Sequence, residues 1–433
     1  MTPKGRLRGV GVVVLGWVAI TPVAVWAQPP GGGLELTIDE LVARALTENP
    51  DFRAARTEVD AAIGRLRQAA LRPNPMLELG GQKALGPDNN LTIGLTVPLD
   101  RGGRKEGRVA VAEREVEVKR AQVKDRERRL AGDVRMKAGE YLAARRNLGV
   151  TDELLQVNRD ALGLVRNRVR QGAAPALDEN LMLVEVNRLD ASRQIQASRV
   201  EIAALQLKAL AAIRPDVPLT IRGALAPAAP PLDAAEALRR ALAARADLDA
   251  ARADVRMGAA KIQKEQAEGR WDASVTVGYQ RQDFGFMLNG LTDSGATRPI
   301  QDVFHYFGAG VSIMLPVRNR NQGNIAAAEA EARGAERRLE FAELIVRQEV
   351  SAAFAQYEAA RRSLDIYERG VRDVARRNLD VVRQTYELGR TSLLDVVAEQ
   401  RRYVDVENGY TDAMKQVYDA TVEIQRSVGA EER

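Results

Sequence analysis

One feature constrains this chain more than any other: an apolar position that returns every seven residues along a very long stretch. Val109, Val116, Val123 and Leu130 form one run, and Val134, Tyr141, Leu148, Leu155, Leu162 and Val169 form a second. A seven-residue repeat is the seam of a coiled coil, and the four-residue step between the runs relaxes the supercoil locally. The stretch 103–171 would reach roughly 100 Å as a helix, at 1.5 Å per residue. A helix of that length is a rod, so a compact globule is excluded. The composition agrees. Aromatics are only 4% of the chain, and a Leu-, Ala- and Arg-heavy chain favours long helices. Mixed charges such as Arg126, Glu127, Arg128 and Arg129 lie between the seam positions and read as a solvated face.

A second signal has period two. Leu91, Ile93, Leu95 and Val97 alternate with Thr92, Gly94 and Thr96. Later, Ala273, Val275, Val277 and Tyr279 oppose Ser274, Thr276, Gly278 and Gln280. Phe307, Ala309, Val311, Ile313 and Leu315 oppose Gly308, Gly310 and Ser312. Such strands are apolar on one face only. They suit either a half-buried soluble sheet or a membrane barrel with its apolar face outward.

The two signals recur in order, which predicts an internal repeat. Ala45-Leu46 matches Ala241-Leu242, Thr96-Val97-Pro98-Leu99 matches Met314-Leu315-Pro316-Val317, and Gly172 with Asp178 matches Gly389 with Asp395. The offset grows from 196 to 218, which predicts a longer loop between the second pair of strands. The expected plan is a signal peptide (1–27), a first repeat (28–211), a linker (212–232), a second repeat (233–429) and a short tail (430–433). Each repeat should hold one helix (37–70; 233–268) and a strand pair (76–83 with 90–98; 272–282 with 304–316). A long helical stretch follows (103–171; 322–388), then a Gly-containing turn and a last helix (176–211; 392–428). The proline-rich segment 212–232 marks the linker.

The N-terminus has Lys4, Arg6 and Arg8, an apolar stretch over 10–25 and small residues before Ala27. That is the pattern of a cleaved secretory signal. Of the net charge of +5, three charges lie in this segment, so the mature chain carries +2 and its basicity is no argument for nucleic-acid binding. Cysteine is absent and His305 is the single histidine. Disulfides, thiolate metal sites and a cysteine nucleophile are excluded, and no cofactor or metal is expected. There is no Walker loop, HExxH or GxSxG motif, so the chain reads as no enzyme. No run of 18 apolar residues follows the signal, so entry into a membrane would be by strands. Four strands cannot close a membrane barrel, and open edges are not tolerated in lipid. Two copies would supply eight strands with a filled interior; three would supply twelve and leave a lumen. The competing reading is a secreted periplasmic coiled-coil structural protein.

Segment 386–429 carries Tyr386, Gly389, Asp395, Tyr403, Tyr410 and Tyr418. That spacing resembles the TolC family, the outer-membrane factors of bacterial efflux and secretion machines. The first half holds a degraded copy in Val169, Gly172 and Asp178. Segment 96–113, with Pro98, Gly102 and Gly103, is similar to the family's strand-to-helix junction, and 315–331 with Pro316 is its second copy. The resemblance implies a mainly α fold: a homotrimer with a twelve-stranded barrel in outer-membrane lipid and a coiled-coil barrel of helices in the periplasm. It also implies passive conduction in a tripartite efflux system, or alternatively in type I protein secretion. The turns at 170–176 and 387–393, built on Gly172 and Gly389, would contact a periplasmic membrane-fusion adaptor. Beyond it would stand an inner-membrane pump of the resistance-nodulation-division type. Asp178, Asp395 and Tyr386 become candidates for the gate. Ala398 and Leu181 stand where some relatives carry a second acid, and Thr391 where some carry an arginine, so an acidic gate would be thinner here. The segments RPNP (72–75) and DRGGRK (100–105) resemble the cation-efflux branch.

Overall fold

The computed structural model describes residues 34–85, 88–225 and 232–429. The expected signal peptide, the tail 430–433 and residues 226–231 of the expected linker lie outside them.

The chain opens with β1 (Leu34–Leu36), α1 (Ile38–Glu48) and α2 (Pro50–Ala69). The hairpin β2 (Met76–Lys83) and β3 (Asn89–Pro98) follows, then α3 (Arg104–Arg170) and α4 (Ala176–Leu210). A short β4 (Leu219–Ile221) leads to α5 (Ala234–Ala244) and α6 (Ala246–Glu268). The hairpin β5 (Asp272–Leu291) and β6 (Thr297–Met314) precedes α7 (Gln322–Ile366), a π-helical turn (Tyr367–Val371), α8 (Arg372–Glu387) and α9 (Leu393–Val428). The molecule is mainly helical, with one four-stranded antiparallel sheet in the order β2-β3-β5-β6.

The long helix is continuous over 67 residues, and Val116, Val134, Tyr141, Leu155 and Leu162 of its seam are buried. Three expectations need correction. Each opening helix is two helices. Pro50 disfavours the helical conformation at Asn49, which caps the next helix by accepting the Phe52 N–H at 3.0 Å. Arg245 makes the equivalent break, with ψ at 130°. It is nearly inaccessible and is held by Asp247 and Glu349, each at 2.6 Å.

The extra residues of the second half lengthen its strands and not their loop. β5 and β6 run 20 and 18 residues and are closed by a turn at Thr292–Ala296. Glycines, a bulge between Gly285 and Asn289 and Pro299 obscure the alternation there. Pro299 is tolerated because β6 is an edge strand. The segment 212–232 is also more than a tether. β4 pairs in parallel with β1, and Ile213, Leu219, Ile221 and Leu225 are buried in the main core.

That core surrounds the middle of the rod. It joins Leu41 and Val42 of α1, Val134 and Tyr141 of α3, Leu207 of α4, Leu364 of α7 and Val417 of α9. A second core lies at the end of the rod, where Leu155, Leu162, Met182, Leu189, Leu393 and Val396 meet.

Candidate functional site

The sheet has no covering layer. Every residue of β2 and β6 is exposed, including Leu79 at 71% and Phe307 at 84%. Register turns the alternation into two faces. On one, Leu79, Ile93, Tyr279 and Phe307 lie in a row. Leu77, Leu95, Val277 and Ala309 form the next, and Val97, Val275 and Val311 continue the band. The other face carries Thr96 and Thr276, whose hydroxyls are 3.1 Å apart, with Thr92, Gln280, Ser274 and Ser312. The apolar band ends at an aromatic cluster. Tyr279 packs 5.2 Å from Phe307, and its hydroxyl is 2.7 Å from Nδ1 of His305.

The sheet meets the rods at two junctions. Pro98 is the last residue of β3, and Gly102 and Gly103 follow with φ of +87° and +85°. Glycine enters this region without the Cβ clash that penalises other residues. Arg104 then crosses to the second hairpin. It bonds the Asp272 carboxylate at 2.8 Å and the backbone carbonyls of Glu268 and Arg270 at 3.2 and 2.9 Å. Arg270 returns a bond to the Gly102 carbonyl at 3.0 Å. Pro316 stands two residues past the end of β6. In that junction Asn321, at φ +61°, donates to the Glu265 carboxylate at 2.7 Å. Asp272 and Glu265 are thus fixed by bonds between segments far apart in the sequence, which spacing alone does not reveal.

At the opposite end of the rods the two turns are built alike. Gly172 and Gly389 both have φ of +70°. Gly172 N–H bonds the Val169 carbonyl and Ala173 N–H that of Arg168. Gly389 and Arg390 bond Tyr386 and Thr385 in the same way. This double bond pattern is a Schellman ending, which the positive φ of glycine permits. The helices that follow start differently. Ser392 caps α9, and Asp395 completes a capping box through bonds of 3.0 and 2.7 Å to the Ser392 N–H and hydroxyl. Those bonds hold the Asp395 carboxyl below the usual carboxylate range. Pro175 occupies the cap of α4 and offers no side-chain bond, so Asp178 closes no such box. Tyr386 packs on the core at this end. Burial raises its hydroxyl above the usual range, and the Asp178 charge pushes it the same way while Arg168 opposes. The fold therefore puts Tyr386 within electrostatic reach of Asp178 and leaves Asp395 engaged in its own helix start.

A site with no sequence signal lies where the π turn interrupts the second arm. Glu407, 2% exposed, binds Arg372 at 2.6 Å and Arg146 at 3.1 Å. The two guanidinium groups lie 4.9 and 5.1 Å from the Tyr410 ring. One carboxylate thus ties α8 and α9 to α3. Among the described residues, no group of three or more His, Asp or Glu could hold a metal ion, and no helix is long and apolar enough to cross a membrane.

The outer membrane efflux protein family model matches the chain twice, over residues 41–214 and 237–430. The cobalt-zinc-cadmium resistance protein CzcC of Cupriavidus metallidurans is 24% identical over 403 residues, covering 91% of this chain and 90% of its own. Among solved structures, CusC superposes with a TM-score of 0.74 at 16% identity, covering 94% of this chain and 96% of its own. The open-state MtrE outer membrane channel of Neisseria gonorrhoeae gives 0.71 at 19% identity, covering 90% and 88%. The chain belongs to the outer membrane efflux protein family, and with it to the outer-membrane channels of efflux systems.

Proposed function

We propose that three copies of this chain complete one twelve-stranded barrel, each giving the four strands β2-β3-β5-β6, and that their helices continue the lumen as a periplasmic tunnel. The observation that carries this reading is the uncovered sheet. It is apolar along one face and mostly polar or small on the other, where Met76, Phe304 and Tyr306 are exceptions, with β2 and β6 left as edges. An isolated sheet of this kind would leave both ladder edges and its apolar band in water. Closing the ring removes the edges, and lipid covers the band. Twelve strands leave a lumen that eight would fill.

The duct is passive. The turns at Gly172 and Gly389 face a periplasmic adaptor, through which an inner-membrane pump of the resistance-nodulation-division type delivers cargo. Asp178 and Tyr386 narrow that entrance, while Asp395 contributes chiefly to the start of α9. The similarity to a protein named for cobalt, zinc and cadmium resistance supports divalent metal cations as cargo. The two stretches of the chain, 28–211 and 233–429, are duplicated units on either side of the segment that carries β4.

Native mass spectrometry of the detergent-extracted protein tests the assembly, and planar bilayers test conduction. The expected result is a trimer that conducts ions. A water-soluble monomer that gives no conductance would overturn the reading.

A further inference from the structure

The face of the sheet that the trimer turns toward its lumen carries almost no charge. Across the rows shared by the strands it is built mainly of Gln, Asn, Thr, Ser and Gly, with Met76, Phe304 and Tyr306 as its large uncharged side chains. Asp272, at the root of the sheet, is paired with Arg104. Asp302 lies beyond these rows, on the extension of the second hairpin, and accepts the Val303 N–H. The one carboxylate within the rows is Glu78.

Its neighbours are unusual as well. Glu78 pairs with Gly94, Gly94 with Gly278, and Gly278 with Gly308. The row is one acid followed by three residues with no side chain. Glu78 is exposed, and its side chain lies along the wall over Gly94. Its Oε2 would stand 3.7 Å from a Cβ built there. No ion pair with Lys or Arg engages Glu78 among the described residues, whereas most acids of the rods are paired.

We propose that Glu78 is the residue that sets the charge preference of the outer-membrane end of the duct, favouring cations. The proposal rests on the trimeric reading above. Three-fold symmetry puts the three carboxylates at one height whatever the tilt of the strands. The glycines of its row leave the Gly94 side of each carboxylate open to the lumen. A carboxylate on the other face would sit in lipid at a cost; on this face it is solvated and acts by its field. Rings of acidic side chains are a general means of cation selection. The range of that field depends on salt: the screening length is about 8 Å at 0.15 M but about 30 Å at 0.01 M, so its effect is largest at low salt.

The test exploits the absence of cysteine from the chain. The full-length protein and Glu78→Cys are placed in planar bilayers under a potassium chloride gradient at low salt. The reversal potential gives the cation-to-anion permeability ratio. For Glu78→Cys that ratio should fall on the order of twofold. Reaction with a negatively charged methanethiosulfonate should restore it, and a positively charged reagent should carry it further toward anions. Both readings come from one folded channel, so a folding defect cannot imitate them. A conducting Glu78→Cys channel whose ratio equals that of the unaltered protein, and does not respond to either reagent, overturns the assignment. So does a thiol at 78 that only a lipid-soluble maleimide can reach. Failure of the unaltered protein to conduct at all would instead remove the trimeric channel itself, and the assignment with it.

Discussion

The two rods start from the same kind of sheet-to-helix junction and end in the same kind of turn, yet they are not equivalent. The first, α3, runs 67 residues without interruption. The second is α7, a π turn at Tyr367–Val371 and then α8. The hydroxyl of Tyr367 occupies the space where a Cβ on Gly409 would stand, and Arg372 is held by the buried Glu407 immediately after the π turn. The turns at the far end differ in the same sense. Both use a glycine at +70°. Only the second is followed by a Ser-Asp capping box, and only the first leaves its aspartate uncapped and within electrostatic reach of Tyr386. Similar sequence at two positions therefore specified similar backbone but different side-chain chemistry. The lesson is that a duplicated motif carries over the part of its role that depends on φ. The part that depends on neighbours is not carried over.

The largest expected effect tests the interruption. Glu407→Gln should destabilise the protein by about 3 kcal/mol, because it removes the buried acid that balances two arginines stacked near the half-buried Tyr410 ring. Thermal unfolding in detergent measures it. A loss under about 1 kcal/mol would mean that the π turn is held by other contacts. Next, Gly172→Ala and Gly389→Ala should each cost about 1–2 kcal/mol, since both force a Cβ into the left-handed region. Hydrogen exchange at the two turns reports each locally. Unequal values would break the backbone equivalence claimed for them.

Ser392→Ala should cost about 1 kcal/mol by removing a helix cap, whereas Pro175→Ala should cost little at the matching position. Fraying of α9 but not α4, read by hydrogen exchange, would sharpen the contrast. Asp178→Asn should leave unfolding unchanged and alter conductance, while Asp395→Asn should do the reverse. Identical behaviour of the two variants would restore their equivalence.

The smallest effect at neutral pH involves Tyr418, which packs α9 against Gly139 of α3 and donates to the Arg135 carbonyl at 3.1 Å. Burial pushes its hydroxyl up to about 12. The unfolded chain loses this proton near 10. Stability should then be full below pH 10, fall as the pH rises toward 12, and level off beyond it. Tyr418→Phe should flatten that segment of a pH-dependent unfolding curve.

Much was legible beforehand. The heptad seam placed α3 to within a residue of each end, because period and length together leave a long helix few alternatives. Residues 76–83 came out as expected for β2, and Gly172 and Gly389 stand in the turns expected to be built on them, each at positive φ. The breaks at Asn49 and Arg245 were missed because a helix interrupted for a single residue keeps nearly the same apolar pattern. The outer half of β5 and β6 was missed because a bulge and glycines erase alternation without ending the ladder. Arg104, Asn321 and Glu407 gave no signal. Their partners lie 168, 56 and up to 261 residues away, and no local rule encodes a pairing over such separations.

By itself the sequence determined the period of each element, the conformation at its glycines and prolines, and the division of the sheet into an apolar and a polar face. These depend on dihedral preferences and on neighbours a few residues away. Tertiary structure decided which carboxylates were consumed by caps and ion pairs and which, like Glu78 and Asp178, were not. Electrostatic and hydrogen-bonding roles depend on what lies within a few ångströms in space, and that distance is set only when the rods and the sheet come together.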